Sequence, residues 1–334
     1  EVLGYTGKPD SYYRAIINWV KQRYDLDVTK EMINFVPGIV PGIGMAMNSF
    51  TRPGDKVMIQ PPVYHPFAWV TTRNERTLVT NPLKWENGMY RMDLDAFREQ
   101  VKGCKLFILC NPHNPGGVVW TEDELRTVAE ICYEEKVLVF SDEIHADLTL
   151  PPYKHRPFAT ISEKAKMNSV TFMSPSKAFN MPGLAASHAI IFNEDLRARF
   201  RKFMDAGELD MGHVFAFLSV EAAYTHGTEW LDQCLAYIQG NIDYVDNFLK
   251  THAPRIKAIR PQASYLVWLD CRELGLNQEA LNDFFADKAH LALNDGAMFG
   301  KEGTGYMRLN VASPRSVIEQ AMKQLAEAYQ AMSF

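Results

Sequence analysis

One lysine stands among small and hydroxyl residues in Ser174-Pro175-Ser176-Lys177-Ala178-Phe179-Asn180, directly after the apolar, β-leaning run Ser169-Val170-Thr171-Phe172-Met173. A lysine just past a buried strand can be held in a dry pocket, where its amine titrates lower and serves as a nucleophile toward a carbonyl. The plain alternative is a surface lysine in a turn. Upstream, Ser141-Asp142-Glu143-Ile144-His145 closes another apolar run, 35 positions before Lys177. An acid ending one strand and a lysine ending a neighbouring strand have a specific joint use. The lysine forms a Schiff base with an aldehyde, while the carboxylate keeps a pyridine nitrogen protonated so that the ring accepts electrons. These are the two groups that pyridoxal 5'-phosphate requires, and together they outweigh the surface-lysine reading.

The elements along the chain must hold them in place. The segments 57–60, 105–110, 137–140, 169–173 and 189–192 are short and continuously apolar, and helical stretches separate them. That pattern predicts a mostly parallel sheet covered on both faces, a three-layer α/β/α arrangement. Ligands of such sheets gather at the carboxyl ends of the strands. Tyr64, Asn114, Asp142 and Lys177 all fall at those ends. Tyr64 could stack on a flat ring or simply cap the core. Asn111-Pro112-His113-Asn114-Pro115-Gly116-Gly117 is a double turn that a generic connection would not need.

Other elements are placed as follows. Apolar spacing predicts a helix over 11–25 with Ser11 as its N-cap, and a helix over 44–50 after the Gly/Pro turn 37–43. A turn feeding a helix leaves free backbone N–H groups that suit a phosphate, a weak signal by itself. Thr121-Glu122-Asp123-Glu124 opens a further helix with a capping-box pattern. A long helical run is expected over 214–250, then a strand at 264–269, a helix at 277–288, a strand at 306–310 and a final helix from Ser313 or Pro314. This predicts a large domain, 1–228, and a smaller C-terminal α/β domain, 229–334. Arg308 lies in an otherwise apolar strand, where a buried guanidinium wants an anionic partner. A structural ion pair is one reading; a clamp for a substrate carboxylate fits the site better.

Composition narrows the class. The 334 residues are 47% hydrophobic and 22% charged, with a net charge of -5, ordinary for a globular protein and unlike a nucleic-acid binder. No apolar run is long enough to span a membrane. The five cysteines are scattered, odd in number and without CxxC spacing, so they read as reduced core thiols of a cytoplasmic protein rather than metal ligands. The chain opens at Glu1 without a methionine, as though an N-terminal portion were absent.

Taken together, Asn111-Pro112-His113-Asn114-Pro115, Ser141-Asp142-Glu143-Ile144-His145 and Ser174-Pro175-Ser176-Lys177-Ala178-Phe179-Asn180 resemble the cystathionine β-lyase branch of the fold-type I pyridoxal-phosphate enzymes, within the class I/II aminotransferase superfamily. The resemblance spans essentially the whole chain, short of the family's N-terminal arm. It implies that Lys177 carries the cofactor and moves the Cα proton, and that Asp142 pairs with the pyridinium nitrogen. Asn114 and His145 would hydrogen-bond the ring's 3-oxygen, and Tyr64 would stack on the ring and serve as a proton donor. Ile39 and Val40, through backbone N–H groups, would hold the phosphate with Ser174. Arg308 would clamp the substrate α-carboxylate, with Asn114 beside it. Tyr5 would reach the cofactor phosphate of a neighbouring subunit, which implies a homodimer. Ordinary aminotransferases carry an arginine at the position of Ala185 and a tyrosine at the position of His145. Both departures match the lyase branch.

The resemblance therefore implies α,β-elimination from L-cystathionine or a related S-substituted L-cysteine, giving pyruvate, ammonia and a thiol. From cystathionine the thiol is homocysteine, next to methionine biosynthesis. The rival enzyme reading is an aminotransferase for an aromatic amino acid or histidinol phosphate. From another class comes a cofactor-binding regulatory protein, since some lyases of this branch also bind a transcription factor.

Overall fold

The computed structural model describes residues 4–332; Glu1 lies outside them. Nine strands form in the first two-thirds of the chain: β1 (Ile33–Val36), β2 (Lys56–Ile59), β3 (Thr77–Thr80), β4 (Lys84–Glu86), β5 (Met89–Arg91), β6 (Cys104–Cys110), β7 (Leu138–Asp142), β8 (Ser169–Met173) and β9 (Ser187–Ile190). Seven of them build one sheet in the order β1-β9-β8-β7-β6-β2-β3, and β4 and β5 pair as a separate hairpin. The run from β8 through β7, β6 and β2 to β3 is parallel. The strand expected at 189–192 starts two residues earlier, and it runs antiparallel to both β8 and β1.

Alternate residues of these strands enter opposite cores, as the pleat requires. Leu106, Ile108, Phe140 and Phe172 face one layer of helices with Ile43 and Phe67. Phe107, Leu109 and Val139 face the other with Leu125 and Val128. The architecture is thus the expected three layers, with the helix Ile39–Phe50 on one face and the helix Glu122–Glu134 on the other. The capping box at the start of the latter is formed. Thr121 Oγ1 accepts from the Glu124 N–H at 3.2 Å, and a Glu124 carboxylate oxygen accepts from the Thr121 N–H at 2.9 Å.

The C-terminal region holds a second sheet of four strands, β10 (Lys257–Ile259), β11 (Leu266–Asp270), β12 (Asn294–Asp295) and β13 (Tyr306–Asn310), in the order β10-β11-β13-β12. All its pairings are antiparallel. The last helix, Arg315–Gln330, starts after Pro314 as expected.

The strand expected at 264–269 runs Leu266–Asp270, and four helical segments differ from expectation. The first helix runs Asp10–Tyr24 with Pro9 at its N-cap, so Ser11 lies inside the first turn, its hydroxyl donating to Glu221 at 2.7 Å. The helix expected over 44–50 starts at Ile39, because proline in a first helical turn removes only an N–H that would have no intrahelical acceptor. The helix expected over 277–288 is α-helical over Gln278–Asp283 and widens to a π-turn over Phe284–Lys288. The helical run over 214–250 is two helices, Val214–His226 and Thr228–His252, separated at Gly227.

Gly227 is there for room: a Cβ would collide with the Phe179 ring and with the Ala223 carbonyl. Phe179 lies two residues after Lys177, so this contact props the lysine-bearing loop. Gly227→Ala is expected to cost about 2 kcal/mol by overpacking, visible as a melting temperature lower by several degrees. A variant that melts with the parent would show that Phe179 yields freely.

Candidate active site

Parallel strands deliver their last residues to one edge of the sheet, and a cavity lined by polar side chains lies there. Asp142 is the final residue of β7 and pairs in register with Cys110, the final residue of β6. Lys177 follows β8 by four positions, Asn114 follows β6 by four, and Tyr64 follows β2 by five. With Arg308 from β13 of the second sheet, all line one cavity of about 390 Å³. His145, Ile39 and Val40 line it too.

Asp142 sits at the floor, 4% exposed, with its Oδ1 accepting the Ile144 N–H at 3.1 Å. It makes no ion pair among the described residues. Burial pushes its carboxyl up to about 7, the nearby Glu143 carboxylate adds to the rise, and Lys177 opposes it. The Lys177 amine is pulled below its ordinary value, chiefly by burial and then by the Arg308 guanidinium. His145 is buried, its imidazole pushed down to about 3 by desolvation, and its Nδ1 has no partner. The ring is therefore neutral. Burial also raises the Tyr64 phenol.

Arg308 donates from Nη1 to Asn114 Oδ1 at 3.0 Å and from Nη2 to Asn294 Oδ1 at 2.8 Å, while its Nε is buried without a partner. No carboxylate of the described residues pairs with it, which removes the structural ion-pair reading. A guanidinium held by neutral amides keeps its full charge for an incoming anion.

Another part of the cavity wall is built by Gly38. Its φ of 149° and ψ of 159° belong to a region open essentially to glycine, and the helix Ile39–Phe50 begins immediately after it. No side chain caps that helix. Pro41 has no N–H, and the Gly42 N–H is taken by the Gly38 carbonyl at 2.9 Å, so the open donors are those of Ile39 and Val40. Ser176 and Ser187 add hydroxyls to the cavity wall. Ser174 stands behind Ser176, outside the lining: its hydroxyl donates to the Ala186 carbonyl at 2.7 Å and accepts the Ser176 N–H at 3.1 Å. Tyr5 lies elsewhere on this chain, 99% exposed.

These donors fit pyridoxal 5'-phosphate. An unpaired, desolvated carboxylate at the floor calls for a cationic N–H, the buried Nδ1 of His145 lacks a partner, and an uncapped helix end calls for an oxyanion. Asp142 would hold the ring nitrogen, Ile39, Val40 and Ser176 the phosphate, and Lys177 the aldehyde carbon.

The family model for class I and II aminotransferases matches residues 3–325. The chain belongs to that family. It is 38% identical over 329 residues to cystathionine beta-lyase PatB of Bacillus subtilis, covering 98% of this chain and 85% of that protein. The crystal structure of cystalysin from Treponema denticola, which contains a pyridoxal 5'-phosphate cofactor, superposes with a TM-score of 0.97 at 35% identity, covering 100% of this chain and 85% of that one. The pyridoxal-phosphate-bound C–S lyase of Staphylococcus hominis, complexed with the inhibitor L-cycloserine, gives a TM-score of 0.91 at 34% identity over 98% and 81% of the two chains. Ala185 lies on the cavity wall, and among the described residues Arg308 is the one guanidinium that lines the cavity.

Several cavity residues escaped the sequence reading, Ser176 and Asn310 among them, and three more come from separate elements. Tyr265 enters from the residue before β11, Ser187 from the start of the antiparallel β9, and Cys110 from the strand partner of Asp142. Of these three only Cys110 carried a usable signal, as the last residue of a parallel strand.

Proposed function

We propose that the protein is a pyridoxal-phosphate-dependent C–S β-lyase that cleaves L-cystathionine or related S-substituted L-cysteines to pyruvate, ammonia and a thiol. The observation that carries it is the meeting of Lys177, Asp142 and Arg308 in one cavity. The likeness to cystathionine β-lyases, with Ala185 and His145 in place of arginine and tyrosine, supports elimination over transamination.

The cofactor, when bound, supplies an electron sink for the pair left at Cα. The protein does the rest. Arg308 and Asn114 hold the substrate α-carboxylate, and Asp142 keeps the ring-nitrogen proton in place. Tyr64, on the cavity wall, would cover the ring face. The Lys177 amine, lowered by burial, takes the Cα proton; the Cβ–S bond breaks, and the thiolate leaves with a proton from Lys177 or Tyr64. Aminoacrylate hydrolyses to pyruvate and ammonia. From cystathionine the thiol is homocysteine, which places the enzyme beside methionine synthesis.

Arg308→Ala is expected to lower kcat/KM by about ten- to a hundredfold, mostly through KM, because it leaves the α-carboxylate without its charged partner. Arg308→Lys restores only part, since an ammonium cannot reproduce the fork. Steady-state kinetics on both variants check this; an unchanged KM would remove Arg308 from substrate binding.

The assembly we propose is a homodimer in which Tyr5 reaches the partner's phosphate site. Tyr5 lies beside Met211 and Phe215, and Phe215 and Leu218 project from the helix Val214–His226 half-exposed, an apolar patch that a second copy would cover. Phe215→Asp should shift the protein from dimer to monomer in sedimentation and weaken cofactor binding. A dimer of unaltered strength would place the interface elsewhere. We place the enzyme in the cytoplasm, which its five unpaired cysteines support. No helix of the described residues is long and apolar enough to cross a membrane.

A further inference from the structure

A second cavity adjoins the first. It encloses about 310 Å³ and is lined by Leu148, Trp230, Cys234, Tyr237, Ile238 and Pro314 among others. Lys177, Tyr265 and Asn310 line both cavities and form the partition between them. The site already described assigns the floor of the first cavity to Asp142, one part of its wall to the helix start at Ile39 and another to Arg308. A substrate whose Cα lies at the Lys177 amine therefore needs another direction for the group on its sulfur, and the second cavity begins at Lys177.

Local structure holds that partition in place. Ser264, a non-glycine residue, has a φ of 78°, in the left-handed region, fixed by its N–H donating to the Leu148 carbonyl at 2.9 Å. This turn sets Tyr265 between the cavities. Trp230 stacks on Phe179, ring centroids 5.9 Å apart, so the wall of the second cavity also braces the loop that carries Lys177.

We propose that the second cavity receives the S-substituent of the substrate and selects uncharged aliphatic or aromatic groups. This rests on the lyase reading and names its substrate class. Among the described residues Lys177 is the one charged side chain lining the second cavity, the other polar ones being the neutral Asn180, Tyr237, Tyr265, Asn310 and Ser313, and across both cavities Asp142 is the one carboxylate. The distal ammonium of cystathionine finds no acid partner there, and a charge moved from water without a partner is disfavoured. A benzyl or alkyl group gains from the same transfer.

The test uses the cofactor-loaded enzyme and two kinds of probe. L-2-Amino-5-phenylpentanoate has a methylene where S-benzyl-L-cysteine has sulfur and so cannot eliminate; its affinity against L-alanine, read by cofactor absorbance, reports the cavity alone. Pyruvate from β-chloro-L-alanine, whose leaving group is one atom, reports the lyase chemistry alone. The phenyl probe should bind about tenfold or more tighter than L-alanine, and Cys234→Phe, which fills the cavity, should abolish most of that advantage. Ala312→Leu fills it from another wall and serves if Cys234→Phe does not fold. S-benzyl-L-cysteine should exceed L-cystathionine in kcat/KM, and Cys234→Asp should shift that ratio toward cystathionine. A phenyl-probe advantage that survives filling, or a parent enzyme that prefers cystathionine, overturns the proposal. Failure to release pyruvate from β-chloro-L-alanine overturns the lyase reading instead, with the binding ratio still deciding the cavity.

Discussion

Lys177→Ala should lower pyruvate release from S-substituted cysteines by at least about three orders of magnitude, the combined cost of losing a covalent anchor and a proton carrier. No other group can take over. Among the described residues Lys177 is the one amine lining the cavity, and Asp142 lies at its floor. His145, at about 3, is a feeble base, and the Tyr64 phenol is raised by burial, so it holds its proton at neutral pH. The variant should also lose the absorbance that a lysine-bound cofactor gives. Steady-state pyruvate assays and spectra of purified parent and variant check this. A variant within tenfold of the parent would move the chemistry to another residue.

Asp142→Asn should reduce kcat by about a hundred- to a thousandfold, because the amide no longer holds a proton on the ring nitrogen. Its effect on stability has the opposite sign when the cofactor is absent. The Asp142 carboxyl titrates at about 7 in the folded chain against an ordinary 3.8, so the folded state binds the extra proton between those values. Stability is therefore full at low pH, falls as pH rises from about 4 through 7, and levels off above. The asparagine variant carries no such penalty. Without cofactor it should melt above the parent at pH 8, with a smaller gap at pH 5. With pyridoxal phosphate bound, the parent carboxylate gains a cationic partner and the order should narrow or reverse. Melting curves of both proteins at the two pH values, with and without cofactor, give the comparison. A cofactor-free parent that is the more stable at pH 8 would mean that Asp142 has a partner not identified at the floor.

Much of this site could be read from the residue order because parallel strands end at one edge. β8 and β13 are legible to the residue, each a largely apolar run bounded by turn formers. β3 escaped because Thr77–Thr80 is an edge strand, exposed or half-exposed throughout, without the apolar signature of its neighbours. The helix opening at Ile39 was hidden by Pro41 and Gly42, which read as breakers but sit in a first turn that tolerates both. The break at Gly227 depends on Phe179, 48 positions away, and no local pattern contains it. The same holds for Tyr265 and Ser187: a second sheet and an antiparallel strand carry them into the cavity, and tertiary placement alone makes them neighbours of Lys177.

The most direct test of the central claim is the product balance. Purified protein with pyridoxal phosphate would be given S-benzyl-L-cysteine and, separately, L-cystathionine, beside the Lys177→Ala control, and pyruvate and free thiol would be measured together. Equal amounts of pyruvate and thiol from at least one of them, absent in the control, are the predicted result. A coloured protein that releases neither, yet converts an amino donor to its keto acid with the cofactor left as pyridoxamine phosphate, would contradict elimination and make the enzyme a transaminase.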